Sequence, residues 1–419
     1  MSGVLASVPP AGAADGTGAG AAGAADGAQF PQIPTVLDRP DGTGDSGGTG
    51  GTCVKPSRSV STRTPWQQTT LALSESWQFA SGAGVKVAVV DTGVDASGVP
   101  ALRGRVTAGP DVVSGGRAGT DCVGHGTFAA GLIAAAPRSG TGFAGVAPGA
   151  TIVAVRVTDR YGATTADRVA DGITAAVSAG AGVVDVPIAL GTTSPALTRA
   201  VASAVKKGAL VVAPAYAAAT DGTGSGQAGS PTAAPLPAAY PAALPGVLAV
   251  AAIGPGGAAE LTVAPVTRPG LAAPGTSVLS VGPGGSGGFT GSGAAFASAL
   301  VAGVAALVVE REPGLTPAQL TARLERTAYH AAADGQDPLV GWGTVQPVRA
   351  VSEVLPAGAP AESAAGAVRP PLRVPAPAAR TAVHQAWVVA AGAALLIALT
   401  ALAAVALPRA RRRRAGTRA

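Results

Sequence analysis

Short apolar runs alternate with helical patterns through the middle of the chain. Four of these runs are mostly apolar and rich in β-branched residues: residues 85–90, 183–188, 210–213 and 247–253. Runs of this kind are typical of strands that are buried on both faces. Residues 196–206 have a helical pattern between two of them. The alternation predicts βαβ units, and therefore a doubly wound α/β domain with a parallel sheet and helices on both faces.

Two further helices have clear boundaries in the sequence. Residues 128–136 are small and apolar and end before Pro137. Thr316 and Gln319 have the spacing of a capping box, and Pro317 occupies the first helical position. We therefore expect a helix that begins after Thr316 and ends near residue 327.

The segments on either side of this domain have different compositions. Residues 1–50 are mostly Gly, Ala, Thr and Asp without apolar periodicity, so we expect them to be disordered or loosely wrapped on the surface. Residues 353–384 are rich in Pro and Ala and predict a semi-extended linker. Residues 386–407 contain no charge and are long enough to span about 30 Å of hydrocarbon as a helix. A transmembrane helix is the preferred interpretation, and an alanine-rich core helix is the alternative.

Charge is concentrated at the end of the chain. The formal net charge is +6, and six arginines lie within residues 409–419, so the remainder has 23 basic and 23 acidic residues. The domain therefore has no excess of positive charge that would indicate nucleic-acid binding. A basic tail at residues 408–419 stays on the cytoplasmic side of a membrane helix, which predicts a domain facing away from the cytoplasm.

An outward-facing domain needs an export signal. The first basic residue is Arg39, and the early apolar run at residues 4–8 is too short for a signal peptide. We expect that Met1 falls within or just after the apolar part of a signal peptide. The alternative is that the membrane helix alone directs insertion.

An aspartate follows the first predicted strand. Asp91 opens the run Asp-Thr-Gly at the carboxyl end of residues 85–90, the edge at which the active sites of such sheets gather. On this observation alone, a turn or a cap is the commoner role of such a carboxylate.

One of the three histidines lies between glycines. His125 stands in the run Gly-His-Gly-Thr, whose glycines let other backbone or a ligand approach closely, whereas His330 and His384 have no such setting. A histidine at a helix start is often structural, but its position after the Asp-Thr-Gly strand favours a functional role.

The two motifs together resemble those of the subtilases. Asp91 within VAVVDTGVD and His125 within GHGT match the Asp and His motifs of that family, and the resemblance covers about residues 65–350. It implies a subtilisin-like fold in which Asp91 orients His125, His125 acts as general base, and a serine attacks the scissile carbonyl.

The serine motif departs from the family pattern. Subtilases have Gly-Thr-Ser followed shortly by Val-Ala-Gly at the start of a long buried helix. Here the run from Gly293 to Gly303 aligns without a gap and places Ala295 at the nucleophile position. A methyl group cannot attack a carbonyl. Ser292 lies upstream on the approach loop and Ser298 lies in the predicted interior of the helix, so we expect neither to replace the missing serine.

Two further positions of the resemblance have also changed. Tyr216 stands where the family has the asparagine of the oxyanion hole, although a tyrosine hydroxyl could in principle donate there. Residues 189–191, Ala-Leu-Gly, match the substrate-binding strand, and Pro187 before them cannot donate to an added peptide strand. Three altered features favour a pseudoenzyme.

The cysteines narrow the resemblance to the mycosins of type VII secretion. Cys53 lies in an N-terminal extension, and Cys122 lies just before the His motif. In mycosins such an extension wraps the protease domain and is tied to it by a disulfide, so the resemblance implies a Cys53–Cys122 bond. Two free thiols are the alternative.

These observations divide the chain and suggest a function. The predicted segments are a low-complexity region at residues 1–50, an extension at 51–64, a peptidase S8 domain at 65–352, a linker at 353–384, a membrane helix at 386–407 and a cytoplasmic tail at 408–419. The resemblance implies a non-catalytic, membrane-anchored subunit of a type VII secretion membrane complex, with exported polypeptides as further partners. The alternatives are a serine endopeptidase that processes exported proteins and a peptide-binding module. We expect neither a metal nor a cofactor.

Overall fold

The computed structural model describes residues 29–33, 53–216, 238–257, 259, 267–329 and 336–355. The helices are α1 (Trp66–Thr70), α2 (Leu73–Ser76), α3 (His125–Ala134), α4 (Ala166–Ser178), α5 (Pro195–Lys206), α6 (Ala294–Arg311), α7 (Pro317–Arg326) and α8 (Pro347–Ser352), with a 3₁₀ turn at Pro100–Leu102. The strands are β1 (Lys86–Asp91), β2 (Val106–Asp111), β3 (Thr151–Arg156), β4 (Val183–Asp185), β5 (Leu210–Pro214), β6 (Val247–Ile253), β7 (Leu271–Pro274), β8 (Val278–Val281) and β9 (Gly288–Gly291).

Seven strands form a parallel sheet in the order β2-β3-β1-β4-β5-β6-β7. Because β1 lies between β3 and β4, the strand order reverses at β1, and the carboxyl end of β1 faces the crevice at this switch point. Asp91 is the last residue of β1. The predicted doubly wound α/β fold is therefore confirmed, and its topology brings Asp91 to the crevice.

The buried side chains of β1, β3, β4 and β5 are divided between two separate cores, one on each face of the sheet. One core contains α3, α6 and α7 packed on one face of the sheet, and the other contains α4 and α5 packed on the opposite face. In β4, for example, Val183 belongs to the first core and Val184 to the second. This arrangement follows from the period of two along a strand.

Helix α6 is the central helix of the first core. It is apolar on all sides, as expected of a helix surrounded by protein. Its length and its mean hydropathy of 1.7 would also allow it to cross a membrane, but 78% of its most apolar stretch is buried inside the domain. A core helix passes the same test, so α6 is weak support for a membrane span.

The described strands are close to those expected, with one clear difference. Residues 247–253 form β6 as predicted, whereas β4 ends at Asp185 and does not continue to residue 188. Pro187 explains the early end, because proline has no N–H for the ladder. Helix α7 has the expected capping box, in which the Thr316 side chain accepts from Gln319 N and the Gln319 side chain accepts from Thr316 N.

One part of the low-complexity region is ordered, contrary to expectation. Pro31 O accepts a hydrogen bond from Thr290 N, and Ile33 N donates to Thr290 O, so residues 31–33 pair with β9. Ile33 is buried and packs beside Gly124. The expectation of disorder or loose wrapping is wrong for residues 29–33, because an apolar Phe-Pro-Gln-Ile run supplies side chains that can be buried.

The extension after Cys53 also runs along the domain. Ser57 O and Ser59 O accept from Gly287 N and Gly288 N, and Ser61 O accepts from Gly142 N. Residues 356–419 lie outside the described residues, so the predicted linker beyond residue 355, the membrane helix at 386–407 and the basic tail stay predictions.

Candidate active site

Asp91 and His125 are brought together at the carboxyl end of the sheet. Asp91 ends β1, His125 begins α3, and both side chains are fully buried. His125 Nδ1 lies 2.6 Å from Asp91 Oδ2, while Asp91 Oδ1 accepts from Thr92 N. The carboxylate therefore fixes the ring orientation and directs Nε2 away from Asp91, which is the arrangement of an Asp–His charge pair.

The glycines beside His125 are required by the local backbone. Gly124 has φ of 85°, a left-handed conformation that glycine adopts without steric cost. A Cβ on Gly126 would collide with the carbonyl oxygen of Gly93, which follows the Asp motif. The close approach expected from the sequence therefore occurs between the two motif loops, and it holds α3 against the end of β1.

Asp121 joins the two motifs, a role that sequence reasoning missed. Its carboxylate accepts from the Thr92 hydroxyl, from Gly124 N, and from both the backbone N–H and the hydroxyl of Thr127. Burial raises the pKa of Asp121, and the hydrogen bonds from Thr127 oppose this effect. Its position four residues before His125 was the available signal.

Ala295 lies in the first turn of α6, beside the His125 loop. The ring of Phe296, the next residue, is centred 4.8 Å from the imidazole ring of His125. Ala295 is nearly buried. Nε2 of His125 has no hydrogen-bond partner among the described residues. Buried polar atoms are usually paired, so an orphaned Nε2 at this point requires an explanation.

The neighbouring serines have other partners. Ser298 is fully buried, and its hydroxyl contacts Asp185 and the carbonyl of Ala295. Ser292 Oγ accepts from Ser277 N. Neither hydroxyl is bonded to His125, which is consistent with the expectation that these serines do not act as nucleophiles.

Tyr216 follows β5 at the position expected for an oxyanion donor. Its ring is largely buried, and its hydroxyl lies 3.4 Å from the carbonyl oxygen of Leu339. In the described part of the chain the hydroxyl is thus directed toward a protein carbonyl. An oxyanion hole needs a donor aimed at the developing charge.

Within the described residues, the segment that resembles a substrate-binding strand forms backbone hydrogen bonds on one side only. Leu190 exchanges two backbone hydrogen bonds of 2.8 Å with Tyr240. Ala189 and Gly191 are half-buried, and no described backbone pairs with theirs. Pro187, just before this segment, contributes no N–H.

The extension is covalently joined to the site. Cys53 and Cys122 form a disulfide, as the resemblance implied, and Val54 N donates to Cys122 O. Cys122 precedes His125 by three residues. The bond therefore anchors the extension directly to the histidine loop. Within the described residues, no group of three His, Cys, Asp or Glu side chains could hold a metal ion.

This fold and its Asp–His pair define a subtilisin-like protease domain. The family model described as "Subtilase family" matches residues 82–343, so the chain belongs to the subtilase family.

Comparison with individual proteins indicates which type of subtilase this domain is. The chain is 33% identical over 408 residues to Mycosin-3 of Mycobacterium tuberculosis (strain ATCC 25618 / H37Rv), covering 86% of this chain and 87% of that protein. Among solved structures, MycP3 protease from the type VII (ESX-3) secretion system has a TM-score of 0.60 and 32% identity, with coverage of 72% of this chain and 92% of MycP3. A chain of the periplasmic assembly from the ESX-5 inner membrane complex has a TM-score of 0.61 and 30% identity, with coverage of 78% and 92%. The subtilase domain is of the mycosin type.

Proposed function

We propose that this protein is a non-catalytic mycosin, a membrane-anchored subunit that supports the assembly of a type VII secretion membrane complex. The observation that carries the proposal is the pairing of an intact Asp91–His125 couple with an alanine at position 295. His125 Nε2 is the atom that would take a proton from a serine, and it has no partner among the described residues.

Chemistry argues against peptide cleavage by this site. Loss of the nucleophilic serine costs subtilisin about 10⁶ in rate, and loss of its oxyanion asparagine costs about 10²–10³. Ala295 has no nucleophilic atom, and the Tyr216 hydroxyl is directed toward Leu339. A site with both changes would retain almost none of the catalytic power of a subtilase.

The relatives support a role in assembly. MycP3 belongs to a type VII secretion system, and the ESX-5 neighbour is part of a periplasmic assembly. The Cys53–Cys122 disulfide is typical of domains exported from the cytoplasm. The proposal places the large domain outside the cytoplasm, tethered by residues 386–407, with residues 408–419 inside.

Complementation tests whether the chemistry is dispensable. A strain that lacks this protein receives the tagged wild type, the variant His125→Ala, or a variant that lacks residues 386–419. We expect His125→Ala to restore secretion to the wild-type level and to co-purify with the membrane complex, whereas the truncated variant does neither. Loss of secretion in His125→Ala with normal assembly would refute the proposal, because it would show that the site performs chemistry.

A second function is favoured by the backbone groups of Ala189 and Gly191, which pair with no described backbone. An extended peptide of an exported polypeptide could pair with these backbone groups without being cut, in the manner of strand addition. Fluorescence polarisation with labelled extended peptides tests this function, and Gly191→Pro removes the donor at the edge. Peptide binding that is equal in the wild type and in Gly191→Pro would exclude the edge as the binding surface.

A further inference from the structure

Asp185 is a buried acid within the apolar strand β4. It ends β4 and is fully buried, and the residues before it in the strand are valines. Its side chain lies on the same face as Val183, which is the face covered by α6. Asp91 lies on this face of the neighbouring strand β1. The subtilase chemistry described above assigns no role to Asp185.

The hydrogen bonds around Ser298 determine where one proton lies. Ser298 Oγ is 2.9 Å from Asp185 Oδ1 and 2.8 Å from the carbonyl oxygen of Ala295. A hydroxyl has one hydrogen, so it makes one well-aligned hydrogen bond at a time. A carbonyl cannot donate, so both contacts are well-aligned hydrogen bonds only if Asp185 carries the second proton. The resulting chain runs from the Asp185 carboxylic acid to Ser298 and from Ser298 to Ala295.

The electrostatic surroundings also favour the neutral acid. Asp185 Oδ2 has no partner among the described residues, so an ionised carboxylate would hold an uncompensated charge in the core. Asp91 faces Asp185 from β1 and is itself bonded to His125 of α3. Ser298 faces it from α6, β5 contains only apolar residues, and α4 and α5 pack on the opposite face.

The direction of the pKa shift agrees with this geometry. Burial raises the pKa of Asp185 well above its ordinary value. The charge of Asp91 raises it further, whereas a hydrogen bond donated by Ser298 to the ionised carboxylate would oppose the rise.

We propose that Asp185 is a protonated positioning residue, whose carboxylic acid holds Ser298 so that the Ser298 hydroxyl fixes the carbonyl of residue 295. The chain of hydrogen bonds ties the first turn of α6 to β4, the strand that pairs with β1 and its Asp91. This role is independent of whether the protein cleaves peptides, because it concerns the backbone at residue 295 and not its side chain.

Infrared spectroscopy of the full-length protein tests the proton directly. Asp185→Asn replaces the acid by a neutral amide of the same shape, which can also donate to Ser298. The difference spectrum between wild type and Asp185→Asn at pH 7 should contain the C=O band of a protonated carboxyl group. Absence of that band would overturn the proposal.

The pH dependence of folding gives a second test. Below the pKa that Asp185 has in the unfolded chain, its carboxyl group is protonated in both the folded and the unfolded state. Above that pKa the unfolded chain releases the proton while the folded wild type keeps it, so the wild type loses stability as the pH rises. The folding equilibrium constant of Asp185→Asn relative to wild type should therefore rise about tenfold per pH unit from pH 5 until the folded pKa is reached. Asp171→Asn makes the same substitution on the exposed side of α4 and is the matched control against which the Asp185→Asn ratio is compared. A constant ratio for Asp185→Asn would contradict the inference.

Hydrogen exchange separates positioning from general stability. Asp185→Leu has a similar size but no donor, and we expect at least tenfold faster exchange of the amide groups in the first turn of α6. Asp185→Asn should keep the wild-type rates. Equal acceleration in both variants would show that the acid does not act through its donated hydrogen bond. If Asp185→Leu does not fold, the infrared band and the pH dependence of Asp185→Asn still decide the matter.

Discussion

Restoring a hydroxyl at position 295 would show how much of a protease remains in this domain. Ala295→Ser adds one oxygen in the first turn of α6, where serine is well tolerated and where His125 Nε2 has no described partner. The Asp91–His125 contact is already formed at 2.6 Å. We therefore expect the new hydroxyl to complete a Ser-His-Asp arrangement with the existing pair.

Two opposing factors determine how much faster Ala295→Ser should react than the wild type. In subtilisin the serine is worth about 10⁶ in rate, while a missing oxyanion donor costs about 10²–10³. Tyr216 directs its hydroxyl toward Leu339, so we count that donor as absent. Ala295→Ser should consequently react about 10³–10⁴ times faster than the wild type with a fluorophosphonate probe.

The assay compares probe labelling by intact mass and by gel fluorescence. Ala294→Ser is the matched control, because it adds the same oxygen one residue earlier, and Ala295→Ser combined with His125→Ala tests dependence on the histidine. Labelling of Ala295→Ser at the level of Ala294→Ser would refute the reasoning, since the cleft would then be altered beyond residue 295. Labelling of the wild type would show that an unexpected nucleophile is active.

Three further predictions concern stability. Cys53→Ser opens a disulfide with a sequence separation of 69, and urea unfolding should show a loss of about 4 kcal/mol by the chain-entropy relation. Burial raises the pKa of Glu325 to about 7, so its folded form binds a proton more tightly than the unfolded chain. Stability should fall by up to about 3 kcal/mol as pH rises from 4.5 to 7, and Glu325→Gln should remove this dependence in urea titrations at several pH values. Thr316→Ala breaks the capping box of α7 and should lower the unfolding free energy by about 1 kcal/mol, as measured by thermal denaturation.

The sequence predicts the centre of the sheet better than its margins. Strands β1, β5 and β6 are almost wholly buried, so each contains an apolar run that stands out from its surroundings. The edge strand β2 is mostly half-exposed and contains Gly109 and Pro110, so its sequence resembles that of a loop. The hairpin of β8 and β9 is similarly rich in glycine. Pattern alone cannot separate such strands from turns.

The candidate active site likewise contains residues that the sequence predicts and residues that it does not. Asp91 and His125 lie in local motifs, so their proximity could be expected from the resemblance. Asp185 and Ser298 are far apart in sequence, and their contact depends on how α6 packs on β4. A single acid within an apolar strand was the only local signal, and it does not identify a partner.

The pairing of residues 31–33 with β9 has a consequence for solubility. On its other side β9 pairs with β8, so without this segment Thr290 would present an unpaired N–H and C=O at a free strand edge. Such an edge can pair with the same edge of a second molecule, and proteins commonly protect it with a loop or a further strand. A chain shortened to begin after Ile33 should therefore self-associate through β9 more readily than the full chain, which gives the N-terminal segment a protective role at this edge.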